Sequence, residues 1–395
     1  MFGNGIAQVL VAIIYILTAR SLGPDEFGLV ATAIGLGMVG AGFVDLGSNA
    51  YWIRELASHR IAQQDLNPRM TTRLILVMAV GGLIVMAACL LEPVFIATGL
   101  LLIATTIVQT AVIPLRATQR AESVAWLVVL GRVVAIGAFL MQTALGVSPG
   151  VALWTALIFG EIVLAVCALA VTPATDRQSI RLRPVSNPWS GTKWYAVSEM
   201  SMNAQKLDLP IVAALSGAGA AGIYGGVNRW IQPMVVAIGS FTAAAAPFVA
   251  AAPRLAALKG QLLRAGWILG AAVVLSIVVF VTAPWLVISL LGSDFVDSVP
   301  VLRLLALATL LNAVTQPLVV ALQARHLDHV AAGIVAIAIA AQLSTVVMLT
   351  PGLGALGAGI GFLVGQAVAL VGTVVCIAVI IRRRRTAVPA SSTMR

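Results

Sequence analysis

Apolar runs long enough to cross a lipid bilayer dominate the chain. A helix needs about 20 apolar residues to span the hydrocarbon. Twelve stretches approach or exceed that length: residues 3–19, 27–47, 74–91, 94–114, 123–145, 150–172, 194–216, 221–250, 264–291, 300–322, 329–350 and 354–381. Charged residues make up only 10% of the chain, against about 25% in soluble domains. Inside lipid every backbone amide must be bonded internally, which leaves helices and closed barrels. The residue-by-residue alternation of a barrel strand is absent. The sequence therefore predicts an all-α polytopic membrane protein of about twelve transmembrane helices.

The net charge of +10 could suggest a nucleic-acid partner. Its distribution argues otherwise. With a cytoplasmic N-terminus, only Arg20 and Arg303 lie at outer boundaries, and Arg132, Lys206 and Arg229 fall inside spans. The other 19 of the 24 basic residues, Arg54, Arg73 and Arg382 to Arg385 among them, fall in inner loops or the tail. This is the positive-inside bias of short loops, so both termini are expected in the cytoplasm. The basic residues then face anionic lipid rather than nucleic acid. Cys89, Cys167 and Cys376 all sit in spans, so no disulfide is expected. No cysteine–histidine cluster has metal spacing, no phosphate-binding loop occurs, and no cleavable leader is evident. No cofactor is expected.

An internal repeat is legible. "LGPDEFGLV" (22–30) and "SGAGAAGIY" (216–224) align with Gly23 on Gly217 and Gly28 on Gly222, an offset of 194. "GVALWTALIFGEIVLAV" (150–166) aligns with "ALGAGIGFLVGQAVALV" (355–371) at an offset of 205, and "PLRA" (114–117) sits on "ALQA" (321–324). Three matches in the same order imply two pseudosymmetric six-helix lobes in parallel orientation around a central cavity. The expected division is an N-lobe at 1–172, a basic cytoplasmic linker at 173–193, a C-lobe at 194–381, and a basic cytoplasmic tail at 382–395.

The same passages carry a resemblance. "ARSLGPDEFGLVATA" (19–33), "GFVDLGSNAYWIREL" (42–56), "LDLPIVAALSGAGAAGIYGGVNR" (207–229), "LLGSDFVDSVPVLRLLALATLLN" (290–312) and "GLGALGAGIGFLVGQ" (352–366) resemble the prokaryotic polysaccharide-biosynthesis flippases. That family belongs to the multidrug, oligosaccharidyl-lipid and polysaccharide exporter superfamily. The resemblance implies a two-lobed transporter in the bacterial cytoplasmic membrane. It also implies a polyprenyl-diphosphate-linked saccharide as cargo, carried from the inner to the outer leaflet by alternating access. Pathway partners would be a glycan polymerase or glycosyltransferases.

One stretch stands out within the spans: "YAVSEMSMNAQKLDLPIV" (195–212). Ionisable residues near the bilayer centre cost at least a few kcal/mol each, so they need partners or water. Glu199, Asn203 and Lys206 share one helical face, and Ser201, Gln205 and Asp208 lie roughly opposite. A helix polar on both faces cannot face lipid. Pro210 removes the backbone bond to Lys206 and is expected to kink the helix. Two readings stay open: the stretch lines the cavity, or its charges only pin helices together. Depth counting places Arg229 level with Asp208, so those two could pair. As cargo ligands we expect Arg229, Lys206, Asp208, Arg20, Glu199, Asn203 and Gln205. Arg20 resembles a family basic position, although a boundary arginine also serves as a snorkelling anchor. Arg132 and Glu161 are expected to form a structural ion pair inside the first lobe. "YWIRELASHR" (51–60) reads as a membrane-surface helix, with Trp52 and its arginines at the interface.

Rival functions are a membrane glycosyltransferase, a polymerase, a drug exporter of the same fold, and a scaffold without transport. Asp294 and Asp297 in "LGSDFVDSVP" are the outer carboxylates that resemble a glycosyltransferase pair, a weak signal, and no large outer loop suits a polymerase. A drug exporter would favour acidic and aromatic residues in its cavity. Here basic residues reach into the spans, and only four tyrosines occur.

Overall fold

A computed structural model gives the architecture and describes residues 2–173, 186–250, 255–323 and 327–386. Among these residues every regular element is helical. The first half comprises α1 (Phe2–Asp45), α2 (Ser48–Ala57), α3 (Gln63–Leu91), α4 (Ile96–Ala111), α5 (Ile113–Ala117), α6 (Ala121–Ala144) and α7 (Pro149–Val171). The second comprises α8 (Lys193–Gln205), α9 (Asp208–Ala250), α10 (Leu255–Leu290), α11 (Ser298–Gln323), α12 (Asp328–Leu353) and α13 (Ala355–Thr386).

Two helices are too long for one crossing. α1 has 44 residues and α9 has 43. At 1.5 Å per residue each would extend about 65 Å, twice the hydrocarbon thickness. Both fold back at a glycine. Gly23 adopts φ 75° and ψ 175°, and Gly217 adopts φ 82° and ψ 176°. A side chain would strain this left-handed backbone. Consequently Tyr15 and Phe27 bring their rings to 6.1 Å, and Tyr224 reaches Asp208. Residues that far apart on a straight helix could not meet. Among the described residues ten apolar helices are long enough to cross a membrane, and the two folded ones supply two crossings each, which makes twelve, with α8 and the start of α9 together making the seventh.

Helices α1 to α7 pack mainly on one another, as do α9 to α13, and α1 against α9 makes the principal join. One apolar core runs through that join, from Ile14, Phe27 and Ile34 to Val212, Val227 and Phe295. The join is pseudosymmetric at atomic detail. A Cβ on Gly28 would fall 1.8 Å from the Ala218 carbonyl oxygen, and one on Gly222 would fall 1.9 Å from the Pro24 carbonyl oxygen. Pro24 and Ala218 are separated by the same 194 positions as Gly28 and Gly222. The repeat alignment, which sets Pro24 on Ala218 and Gly28 on Gly222, therefore exchanges the two contacts. Backbones this close are possible only where neither helix carries a side chain. Leu209 fills the next layer between Gly35 and Gly225.

Several expectations need correction. The first connection is tighter than predicted, because helix resumes at Pro24 immediately after Gly23. Residues 382–386 continue α13 rather than starting a tail, and 387–395 lie outside the described residues. Of the linker, 174–185 lie outside them too. Its later part packs on the first lobe: the Trp189 indole N–H donates to the Val44 carbonyl at 2.9 Å, and Arg69 donates to the Ser190 carbonyl at 3.4 Å.

Candidate functional site

The polar stretch breaks the seventh crossing instead of merely bending it. α8 ends at Gln205 and α9 starts at Asp208, with Lys206 and Leu207 in a turn. The amides of Lys206 and Leu207 donate to the carbonyls of Asn203 and Ala204 at 3.1 and 3.0 Å, the tighter three-residue spacing. Pro210 offers no N–H to the Lys206 carbonyl. Asp208 opens the new segment, its Oδ1 accepting from the Leu209 amide at 2.7 Å. A carboxylate at a helix start complements the helix dipole.

Each polar residue of the stretch then finds a different neighbour. Asn203 is buried against Gly42 of α1 and accepts from Lys206 Nζ at 2.9 Å. Gln205 points the other way and donates to Gln342 of α12 at 3.2 Å. Asp208 is buried and accepts from the Tyr224 hydroxyl at 2.5 Å. Glu199 is half-buried and lies within the electrostatic reach of both Lys206 and Asp45. The two polar faces have a plain cause: α8 lies between α1 of one lobe and α12 of the other.

Arg229 does not pair with Asp208 as the depth counting allowed. It forms no ion pair within 4.0 Å among the described residues. The carboxylate is already held by Tyr224. The guanidinium crosses instead to the first lobe. It stacks 4.7 Å over the ring of Tyr15, and its Nη2 lies 3.4 Å from the Tyr15 hydroxyl and 3.9 Å from Met38 Sδ. Its charge is still felt by both Lys206 and Asp208. The structure thus gathers Arg229, Lys206, Asp208, Asn203, Gln205 and Glu199 around the lobe junction. Arg20 stands apart, exposed, donating to the Ser289 carbonyl of α10 at 3.0 Å. It clasps the second lobe rather than lining this cluster.

Arg132 and Glu161 lie 2.8 Å apart between α6 and α7. Beside them the helices touch through Gly131 and Gly160, where a Cβ on Gly160 would meet the Gly131 carbonyl at 2.4 Å.

One cluster escaped the sequence reading. Arg73 was assigned to an inner loop, yet it is wholly buried within α3. Its Nη1 donates to Asp45 at 2.7 Å, Ser48 at 2.6 Å and Asn49 at 3.0 Å. Its guanidinium stacks 4.5 Å over Trp52, which is buried beneath it and not at the lipid surface. The membrane-surface expectation for α2 fails at that residue. Two signals were available: an Asp45 near a span end needed a cation, and α3 begins before the apolar run at 74. Tyr15 and Tyr224 were missed likewise, although half of the chain's tyrosines fall in just these two crossings. Among the described residues no group of three or more His, Cys, Asp or Glu could hold a metal ion.

Solved structures share this architecture. Lipid II flippase MurJ, in an inward closed conformation, superposes with TM-score 0.75 at 10% identity, covering 95% of this chain and 87% of that one. An inward-facing multidrug resistance MATE family transporter of the MOP superfamily gives 0.70 at 18% identity, covering 96% of both chains. A MOP superfamily transporter from Pyrococcus furiosus gives 0.56 at 16% identity over 96% of both. Such identities establish the fold alone: the chain has the twelve-helix fold of MOP-superfamily transporters. A search of curated proteins returned no match. The family model for polysaccharide biosynthesis proteins matches residues 1–252, and the chain belongs to that family.

Proposed function

We propose that the protein is a flippase for a polyprenyl-diphosphate-linked saccharide in the bacterial cytoplasmic membrane. One observation carries the reading: Arg229 and Lys206 present positive charge at the lobe junction, with no carboxylate bonded to either among the described residues. Asp208 is held instead by the Tyr224 hydroxyl within the second lobe. Cations without a bonded carboxylate suit a diphosphate. The amides of Asn203 and Gln205 suit sugar hydroxyls. A drug exporter for organic cations would need the opposite polarity there. The Gly23 and Gly217 turns then face outward, and α2 with the Arg54, Arg69 and Lys193 end faces the cytoplasm, in keeping with the positive-inside bias. Both termini are cytoplasmic, and cargo comes from glycosyltransferases on that side.

The test is leaflet exchange. Reconstituted protein should move a lipid-linked oligosaccharide between the leaflets of liposomes. Arg229→Ala should abolish that movement and Lys206→Ala should weaken it, both with normal membrane levels of folded protein. Undiminished surface glycan in an Arg229→Ala strain would overturn the cargo role.

A further inference from the structure

Tyr15 sits on the first lobe, yet its ring is the surface against which the second lobe's Arg229 rests. The ring is 1% exposed, so no water competes for its face. Tyr15 is itself held edge-on by Phe27 at 6.1 Å and an interplanar angle of 86°. Phe27 meets Phe295 of the second lobe at 6.3 Å. Phe295 lies beside Gly226, one turn from Gly222 and the crossing with Gly28. Arginine on such a platform keeps its planar donors free at the rim, because the stack uses the π face and leaves the N–H edges available. The hydroxyl contact at 3.4 Å is long and adds little.

We infer that Tyr15 is a positioning residue: its ring orients the Arg229 guanidinium across the lobe junction, so that the arginine meets an anionic headgroup with its donor edge already set. The platform exists only where the two lobes are in contact at the Gly28–Gly222 end. The cation is thus presented in one arrangement of the lobes and released in the other. The anion part of this inference rests on the flippase reading; the positioning part does not.

The experiment replaces Tyr15 with phenylalanine and then with phenylalanines of increasing ring fluorination, in the full-length chain. Fluorine drains the negative face of the ring with little change in shape, so folding is preserved. Two quantities are read. The first is the rate at which phenylglyoxal modifies Arg229, followed by mass spectrometry of the peptide. The second is thermal stabilisation of the purified protein by undecaprenyl diphosphate. Tyr15→Phe keeps the ring and sets the reference rate and affinity for the series. Along the fluorinated series modification should quicken and undecaprenyl diphosphate should bind about three- to tenfold more weakly, the range expected for a shielded cation–π contact. Modification that stays constant across the series would overturn the positioning role. A loss already complete in Tyr15→Phe would overturn it too, assigning the effect to the hydroxyl. If the diphosphate stabilises no form, the parent included, the cargo reading fails, and the modification series alone decides on Tyr15.

Discussion

Gly28→Ala should unseat the lobe junction, and the structure sets the scale. The new Cβ would lie 1.8 Å from the Ala218 carbonyl oxygen and 2.7 Å from the Gly222 amide nitrogen. Carbon contacts below 3.0 Å are essentially never seen, and both atoms are backbone, so neither can rotate away. The two helices must part by at least about 1.2 Å at this level, a separation taken from those two distances. Overpacking at such a crossing costs about 1–3 kcal/mol. A shift of about 1–2 kcal/mol changes a two-state ratio roughly 5- to 30-fold. The assay is disulfide formation between Asp25→Cys and Gly219→Cys in a chain whose native cysteines are alanine. A Cβ at 219 would lie 3.4 Å from the present Asp25 Cγ, close to where a cysteine sulfur would stand. The parent pair should cross-link readily. Adding Gly28→Ala should slow it at least about fivefold, by the same arithmetic, whereas Gly82→Ala, which has nothing within 4 Å of its new Cβ, should leave the rate unchanged. Equal rates with and without Gly28→Ala would refute the idea that this crossing holds the lobes together.

Arg132→Ala should lower thermal stability in detergent by about 3–5 kcal/mol, because Glu161 is then buried without its partner. Replacing both by methionine should recover most of that loss, and a double variant as unstable as the single one would contradict the strut role. Tyr224→Phe removes one of two bonds to buried Asp208 and should cost about 1–3 kcal/mol by denaturation; an unchanged midpoint would show that the carboxyl has another partner. Arg73→Lys keeps the charge but has one nitrogen, so it cannot serve Asp45, Ser48 and Asn49 through one arm and Thr110 through the other. Expression or melting temperature should drop clearly, and parental behaviour would mean that this cluster is dispensable.

The apolar run lengths made the helices and their number legible, because a bilayer admits few alternatives. The repeat was legible too, and Gly23 with Gly217 shows why: a backbone conformation that demands glycine leaves its mark in both copies. Side-chain partners were less accessible. Depth counting brought Arg132 to Glu161 correctly, since neighbouring antiparallel helices leave little choice. It could not foresee that Asp208 would turn to Tyr224, or that Arg229 would cross to Tyr15, because those contacts depend on how one lobe is set against the other. Arg73 was misplaced for a related reason. Its flanks are polar enough to resemble a loop, and only the buried Asp45 and Ser48, with Asn49 beside them, explain a guanidinium within the helix.

The ion pair of the first lobe also constrains how the chain can be made. Synthesis delivers α6 before α7, and Arg132 precedes Glu161 by 29 residues. Until the second helix emerges, α6 must enter the membrane with an arginine that costs about 2.5–3.5 kcal/mol near the centre on an insertion scale. Its partner follows a turn only from Leu145 to Ser148, bent at Gly146 with φ 83°. So short a connection lets both helices wait at the translocon and leave it as a hairpin, the charges already neutralised. The glycines at 131 and 160 let the backbones close around the pair without a side chain in the way. A lengthened turn would leave the folded protein's contacts intact and still lower its yield, a defect of insertion and not of stability.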